Sequence, residues 1–375
     1  MSTDVKTRAW MEIRADALRR NLARVQDAVG HATRVLPMVK ADAYGTGIAG
    51  AVAALGPAHP WGFGVATVDE GVSLRALGVA TPVLVLSPVP PGQIGAAVAA
   101  GLTLSVSSGS TLEALAREAR GRAADFHLEV DTGMGRAGFS WREVGRWAPL
   151  AHAAASSGAR WAGCYTHLHS ADVDRASVDE QWQRFQAVLA EASPPRVDFL
   201  VHVLNSSGCM RCPEYALDLV RPGIFLYGGA VGADLPAPEA VASVRARVVH
   251  TRSAPVGTTL GYGSTYVSGG DERWATVSIG YGDGLPRGLG NRGHALVRGG
   301  RVPIVGRISM DVTVVDITGV SGVSPGDVVT FVGSDGRERI SLDEVAATVG
   351  TISYEILTGF TARLTRVWTE GGHGP

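Results

Sequence analysis

The run Arg34-Val35-Leu36-Pro37-Met38-Val39-Lys40 reads as a short apolar strand that ends on an amine, and it is the first of eight such runs. The others span residues 61–66, 82–87, 102–107, 125–131, 160–168, 199–205 and 217–221. Between most of them lie Ala-, Leu- and Arg-rich segments of helical period, such as 110–120 and 179–191. Strand-like runs that alternate with helical segments are the mark of repeated βα units. Eight units over about 220 residues favour a closed (β/α)8 barrel over an open sheet.

Composition shifts after Ala233-Asp234-Leu235-Pro236-Ala237-Pro238. Residues 241–251, 273–279, 294–298, 301–317 and 327–332 are dense in Val, Ile and Thr, and only 342–349 reads clearly as helix. The expected fold is therefore α/β: an N-terminal TIM-like barrel over 11–235, then a mainly-β domain over 236–375, with residues 1–10 packing against the latter.

The overall balance excludes several functions. The chain has 34 basic and 35 acidic side chains, a net charge of −1, and 45% hydrophobic residues. That suits neither a nucleic-acid binder nor an acidic disordered chain. Pro82, Pro88, Pro90 and Pro91 interrupt the most apolar region, so no run reaches the roughly 18 residues of a membrane helix. Residues 1–13 mix Asp4, Lys6, Arg8 and Glu12 without an apolar core, so no signal peptide is expected and a cytoplasmic location follows. Three cysteines cannot close a disulfide framework. Cys209-Met210-Arg211-Cys212 has C-x-x-C spacing but lacks the second pair of a zinc site; a redox role stays open.

Of the 34 basic residues, 32 are Arg; Lys6 and Lys40 are the only lysines. A guanidinium stays protonated, whereas an amine can lose its proton and form a Schiff base with a carbonyl compound. Active sites of such barrels gather at the C-terminal strand ends. There the sequence places Lys40, then Asp131 with Thr132-Gly133-Met134-Gly135-Arg136, then His167-Leu168-His169, Asn205-Ser206-Ser207-Gly208, and Arg221-Pro222-Gly223. Each has a bland alternative: a structural histidine, an N-cap serine, a surface arginine. Together, small residues after strands seven and eight suit a phosphate. An amine beside a phosphate cradle implies a phosphorylated aldehyde, of which pyridoxal 5′-phosphate is the commonest.

The segment Val35-Leu36-Pro37-Met38-Val39-Lys40-Ala41-Asp42-Ala43-Tyr44-Gly45 resembles the pyridoxal-lysine motif of the alanine racemase family. Further likenesses follow in the family's order: Asp131 to Gly138, Arg221-Pro222-Gly223-Ile224 with Tyr227-Gly228, Gly261 to Tyr266, and Gly306 to Asp311. The resemblance implies an isomerase that interconverts L- and D-alanine through a pyridoxal-phosphate external aldimine and supplies D-alanine for peptidoglycan. It implies a head-to-tail homodimer with shared active sites. Lys40 would hold the cofactor and act as one base, and Tyr262 from the other chain as the opposed base. Tyr44, Ser206, Gly223, Ile224 and Tyr354 would contact the phosphate, with Asn205 nearby. Arg221 would face the pyridine nitrogen. His167, between Tyr262 and Arg221, would supply a cation that lowers the phenol's pKa. Arg136, Tyr281, Met310 and Asp311 would meet the substrate, Arg136 also positioning the cofactor. No metal is implied.

Departures from the family pattern are informative. Glu129 replaces a lysine often modified to a carbamate, and is expected to supply that negative charge permanently and orient Arg136. Ser309 stands where Cys is frequent. Leu285 replaces a second frequent Tyr, and His169 a small residue; both are expected near the substrate corridor, gated by Asp172, Arg287, Arg307 and Ile352. Serine or broader racemase activity is the nearest alternative. A metal-dependent barrel hydrolase built on Asp131, His167, His169 and His202 is the remote one.

Overall fold

The structure, a computed structural model, describes residues 6–370. Strand β1 (Ala9–Arg14) comes first; eight barrel strands follow, with one short extra strand among them. These are β2 (Arg34–Val35), β3 (Phe63–Val65), β4 (Val83–Val85), β5 (Thr103–Val106), β6 (Asp125–Asp131), the extra β7 (Phe139–Ser140), β8 (Arg160–Thr166), β9 (Leu200–His202) and β10 (Leu219–Val220). Strands β3, β4, β5, β6, β8 and β9 pair in parallel in that order, and β10 pairs with β2. Parallel bridges between Met38 and Gly64 and between Asn205 and Arg221 close the ring.

The first strand carries its pairing past β2. Leu36 N donates to Val220 O at 2.8 Å and Met38 N to Pro222 O at 2.9 Å, while Val39 N reaches Gly64 O at 2.8 Å. Pro37, with no N–H, interrupts only the regular ladder. Lys40 is thereby delivered to the rim.

Period-two alternation decides what fills the barrel. In Phe126-His127-Leu128-Glu129-Val130 the apolar residues join the main hydrophobic core, while His127 and Glu129 meet other polar side chains. Leu36, Leu84, Leu200 and Leu219 form a separate small apolar cluster drawn from β4, β9, β10 and the run after β2.

The second half is a sheet organised around β11 (Ala242–Ala254), which pairs antiparallel with β1 and with the strands Glu272–Val277 and Val328–Asp335. A hairpin of Thr259–Leu260 and Tyr266–Val267 precedes the strand Glu272–Val277. The run 301–317, expected as one strand, is two: Gly300–Pro303 and Thr313–Asp316, separated by the loop that carries Ser309, Met310 and Asp311. Helix Leu342–Val349 forms as expected, with Ser341 Oγ accepting from Glu344 N at 3.0 Å. A second helix, Ser353–Gly359, was not legible because seven residues are too few to display a period.

β1 lies in this sheet, antiparallel to β11 and parallel to the last strand, Thr365–Thr369. The expected barrel start at residue 11 therefore falls inside a strand of the C-terminal sheet. Of residues 1–10, positions 1–5 lie outside the described residues. The two halves are stitched by fully buried Asn21 in helix Ala15–Val29. Its Nδ2 donates to Leu226 O (3.2 Å) and Glu239 O (3.0 Å), and its Oδ1 accepts from Glu239 N (2.8 Å). Asn21→Ala leaves these backbone groups buried and unpaired, so it is expected to cost about 2–4 kcal/mol. Urea unfolding of variant and wild type checks this; an unchanged midpoint contradicts it.

Candidate active site

At the C-terminal end of the barrel lies a cavity of about 430 Å³. Lys40, Tyr44, Glu129, Arg136, His167, Asn205, Ser206, Arg221, Gly223, Ile224 and Tyr354 all line it. The sequence had singled out every one of these. It had not singled out Ala66, Leu86, Ser87, Pro88, Ala137 and Tyr165, which complete the wall. Tyr165 could have been found from the inward alternation Gly163, Tyr165, His167.

Lys40 opens a turn of unusual hand. Ala41, Asp42, Ala43 and Tyr44 all have φ between 52° and 55°, in the left-handed region. Each such non-glycine residue costs roughly 1–2 kcal/mol. Surrounding contacts hold the turn: Glu70 accepts from Ala41 N at 2.6 Å, and Asp42 Oδ1 accepts from Ile48 N at 2.7 Å. Inside it, Ala43 N bonds Val39 O and Gly45 N bonds Ala41 O, both at 2.8 Å. Tyr44 stacks on Tyr227 with centroids 4.7 Å apart, and Tyr227 in turn donates to Met38 O at 2.9 Å. The phenol of Tyr44 therefore lies buried against the loop that follows β10. A Cβ on Gly223 would lie 2.1 Å from the Tyr44 hydroxyl, so only glycine admits that approach.

Ser206 Oγ accepts from Gly223 N at 2.7 Å. The Ile224 N–H, fully buried beside it, has no acceptor among the described residues. Hydroxyls of Tyr44, Ser206 and Tyr354 with this orphan amide make a small donor-rich cradle at one end of the cavity. Burial pushes Tyr354 up to about 12, so its phenol stays protonated and able to donate. Burial, then the Arg136 charge, lowers the pKa of the Lys40 amine, while Glu70 opposes. A phosphorylated aldehyde fits this donor set: an amine that can be neutral, and a cradle that accepts a dianion.

Arg221 is buried across the cavity. Its Nη2 donates to Thr166 O (2.9 Å) and Val203 O (3.1 Å), and its Nη1 meets His202 Nδ1 at 2.7 Å. A guanidinium only donates, so His202 Nδ1 must be the acceptor and its proton sits on Nε2. That proton faces His127 Nδ1 at 2.7 Å. Both imidazoles are thus held as neutral rings of fixed tautomer. Burial first, with Arg221 contributing, puts His202 well below its ordinary range, and burial holds His127 near 3. Both His202 nitrogens are committed, so it has no lone pair for a metal. Among the described residues no group of three or more His, Cys, Asp or Glu is placed to hold one.

Two expected roles change. His167 is held at about 3 by burial and by the Arg221, Arg136 and Lys40 charges, so it is a neutral ring at the mouth and not the expected cation. Glu129 accepts from Ser107 Oγ at 2.9 Å, and no ion pair joins it to Arg136 among the described residues. Burial raises its pKa, opposed by Ser107, Tyr165 and the Arg221 and Arg136 charges. Its charge is therefore conditional on those neighbours.

Other candidates lie elsewhere. Tyr262, Met310 and Tyr281 are 70%, 51% and 41% exposed on the C-terminal half and line no part of the cavity. Asp311 is tied to Arg363 at 2.6 Å. Leu285 is buried in the core, which removes it from the expected corridor. His169 bonds Ser170 Oγ at 2.7 Å, outside the cavity lining. Asp131 accepts from Gly133 N (2.9 Å) and Gly135 N (3.0 Å), shaping the loop that leads to Arg136. All three cysteines are free and buried; burial pushes Cys209 up to about 12 and Cys212 to about 11, far from reactive thiolates.

Two family descriptions match the chain: "Alanine racemase, N-terminal domain" over residues 13–231 and "Alanine racemase, C-terminal domain" over 241–368. It is 38% identical to an alanine racemase of Symbiobacterium thermophilum over 380 residues, covering 98% of this chain and 99% of the relative. An alanine racemase of Desulfosudis oleivorans is 36% identical over 378 residues, 97% of each. Among solved structures, alanine racemase from D-cycloserine-producing Streptomyces lavendulae superposes with a TM-score of 0.93 at 30% identity over 99% of both chains. The Bartonella henselae enzyme, solved with covalently bound pyridoxal phosphate, gives 0.88 at 30% identity, over 97% of this chain and 100% of that one.

The neutral imidazole pair has a consequence for stability. Unfolded histidine binds a proton below about 6.5, whereas folded His127 and His202 do not until far lower pH. Stability is therefore lost as pH falls from about 6.5 toward 3, by up to about 1.4 kcal/mol per pH unit per ring. Replacing both rings with Gln is expected to flatten that slope in denaturant titrations between pH 7 and 5; an equal slope in the variant contradicts the neutral pair.

Proposed function

Because the chain belongs to the alanine racemase family, we infer that it interconverts L- and D-alanine with pyridoxal 5′-phosphate bound in the barrel mouth. The observation that carries this reading is the cavity itself, with the amine of Lys40 and the Tyr44–Ser206–Ile224 cradle in one space. Lys40 would hold the aldehyde carbon, and the cradle with Gly223 and Tyr354 the phosphate. Asn205 lies beside the cradle, its Oδ1 capping Gly208 N at 2.9 Å. The bound cofactor supplies an electron sink that makes the Cα–H of an attached amino acid acidic.

Racemisation needs a proton removed on one face and returned on the other, which two opposed bases do directly. Lys40 serves one face, its lowered pKa raising the neutral fraction available near neutral pH. Tyr262 serves the other. In this reading it comes from a second copy, as the family resemblance implies, and its exposure outside its own chain's cavity supports that. We assign Met310, Asp311 and Tyr281 to the same borrowed surface, where Met310 would meet the substrate carboxylate together with Arg136 of the first copy. His167, neutral, serves as a hydrogen-bonding neighbour at the mouth. Arg221 is fixed by three of its five donors, to Thr166, Val203 and His202, and a guanidinium has no labile proton to give up to a ring nitrogen it faces. A head-to-tail homodimer follows from this sharing, with the barrel mouth of one chain facing the C-terminal sheet of the other.

Two parts of the proposal rest on family membership: a cytoplasmic location, and use of the D-alanine in peptidoglycan. Among the described residues no helix is long and apolar enough to cross a membrane.

Purified protein is expected to absorb visible light through bound cofactor and to form D-alanine from L-alanine on chiral chromatography. Lys40→Ala is expected to lose the band and at least about 1000-fold in rate, as for removal of a residue that is both anchor and base. A colourless wild type of full activity contradicts the assignment, as does a Lys40→Ala variant that racemises normally.

A further inference from the structure

We propose that Arg366 is the positioning residue that latches the left-handed turn bearing Lys40 and Tyr44 to the helix bearing Tyr354, and so sets the cofactor cradle; the inference builds on the function proposed above. Arg366 lies in the last strand, Thr365–Thr369, beside β1. Its Nε and Nη2 both donate to Gly45 O, at 3.0 and 2.8 Å. Nη2 also donates to Phe360 O at 2.8 Å, and Nη1 to Leu364 O at 2.8 Å and to Thr361 O. All five N–H donors of the fork are spent on backbone carbonyls, and no ion pair involves this guanidinium among the described residues.

The carbonyls it gathers belong to two segments that, among the described residues, otherwise meet by contact alone. Gly45 closes the turn that begins at Lys40, and its φ of 78° continues the left-handed run. Residues 360–364 follow directly on helix Ser353–Gly359, whose Tyr354 lines the opposite side of the cradle, 6.2 Å ring to ring from Tyr44. The fit is close: a Cβ at Gly45 would lie 2.6 Å from Leu357 O. Thr46 and Gly47 continue the hydrogen-bonded turn, bonding Ala43 O and Asp42 O at 3.2 and 2.9 Å.

Four strained residues persist only where surroundings over-determine them. Glu70 and Asp42 hold the start and middle of this turn; Arg366 holds its end and, among the described residues, is the one side chain hydrogen-bonded to both Gly45 and the segment after the Tyr354 helix. A planar fork is required, because its donors point in two directions at once. An ammonium has three donors at a single point and cannot reproduce that.

The test uses the full-length protein stripped of cofactor, as wild type, Arg366→Ala and Arg366→Lys, with two readouts. One is pyridoxal 5′-phosphate affinity by absorbance titration. The other is amide hydrogen exchange of Ala43, Gly45, Thr46 and Gly47 against amides of β11. Arg366→Ala is expected to weaken affinity at least tenfold and to speed exchange in the turn at least tenfold, with β11 unchanged. Arg366→Lys is expected to behave like Arg366→Ala, and it carries the test alone if the alanine variant does not fold. Wild-type affinity in the variants, turn exchange that rises only in step with β11, or full rescue by lysine overturns the latch. If wild type itself does not bind the cofactor, the functional reading fails, and the exchange comparison still decides the latch.

Discussion

Four consecutive residues held at positive φ are the constraint on which the barrel mouth depends. A right-handed continuation from Lys40 would begin an ordinary helix and carry Tyr44 elsewhere. The left-handed turn instead sets Tyr44 against Gly223, at the end of the neighbouring strand β10. The strain is local, and the contacts that offset it come from three parts of the chain: Glu70 after β3, Tyr227 after β10, and the C-terminal strand. The cofactor cradle is thus a product of the whole fold, including the sheet that follows the barrel.

Beneath the mouth the barrel is polar where an ordinary barrel is filled by branched aliphatics. Arg221, His202 and His127 make a chain of directed hydrogen bonds whose orientation is imposed from one end, since arginine can only donate. Tyr165 stacks on His202 at 4.8 Å and lies under the Arg221 guanidinium. Arg221 is thereby fixed in position and charge, which suits a residue whose chemical contribution is to withhold a proton.

Much of this was legible in the sequence for physical reasons. Eight apolar runs at βα spacing point to the barrel, and their C-terminal ends, taken as a ring, bring together Lys40, Arg136, His167, Ser206 and Arg221. Lys40 stood out because arginine cannot replace a titratable amine. What stayed hidden were properties set by tertiary contact. The hand of the turn after Lys40 depends on partners far along the chain. The neutrality of His167 depends on burial among three cations, which no local pattern records. The conditional charge of Glu129 follows from the same cause. Leu285, read against a tyrosine of the family pattern, is a core residue whose depth only packing reveals.

The central claim is that one catalytic base arrives from another chain. Tyr262 is exposed and does not line the cavity that holds Lys40 in its own chain. Mixing equal amounts of Lys40→Ala and Tyr262→Phe protein, each inactive alone, and allowing subunits to exchange tests this directly. Half of the resulting dimers pair unlike chains, and in each of these one of two sites is intact, so the account expects about a quarter of wild-type racemase activity to return. If both bases belonged to one chain, no intact site could form, and a mixture that stays inactive despite verified exchange would contradict the account.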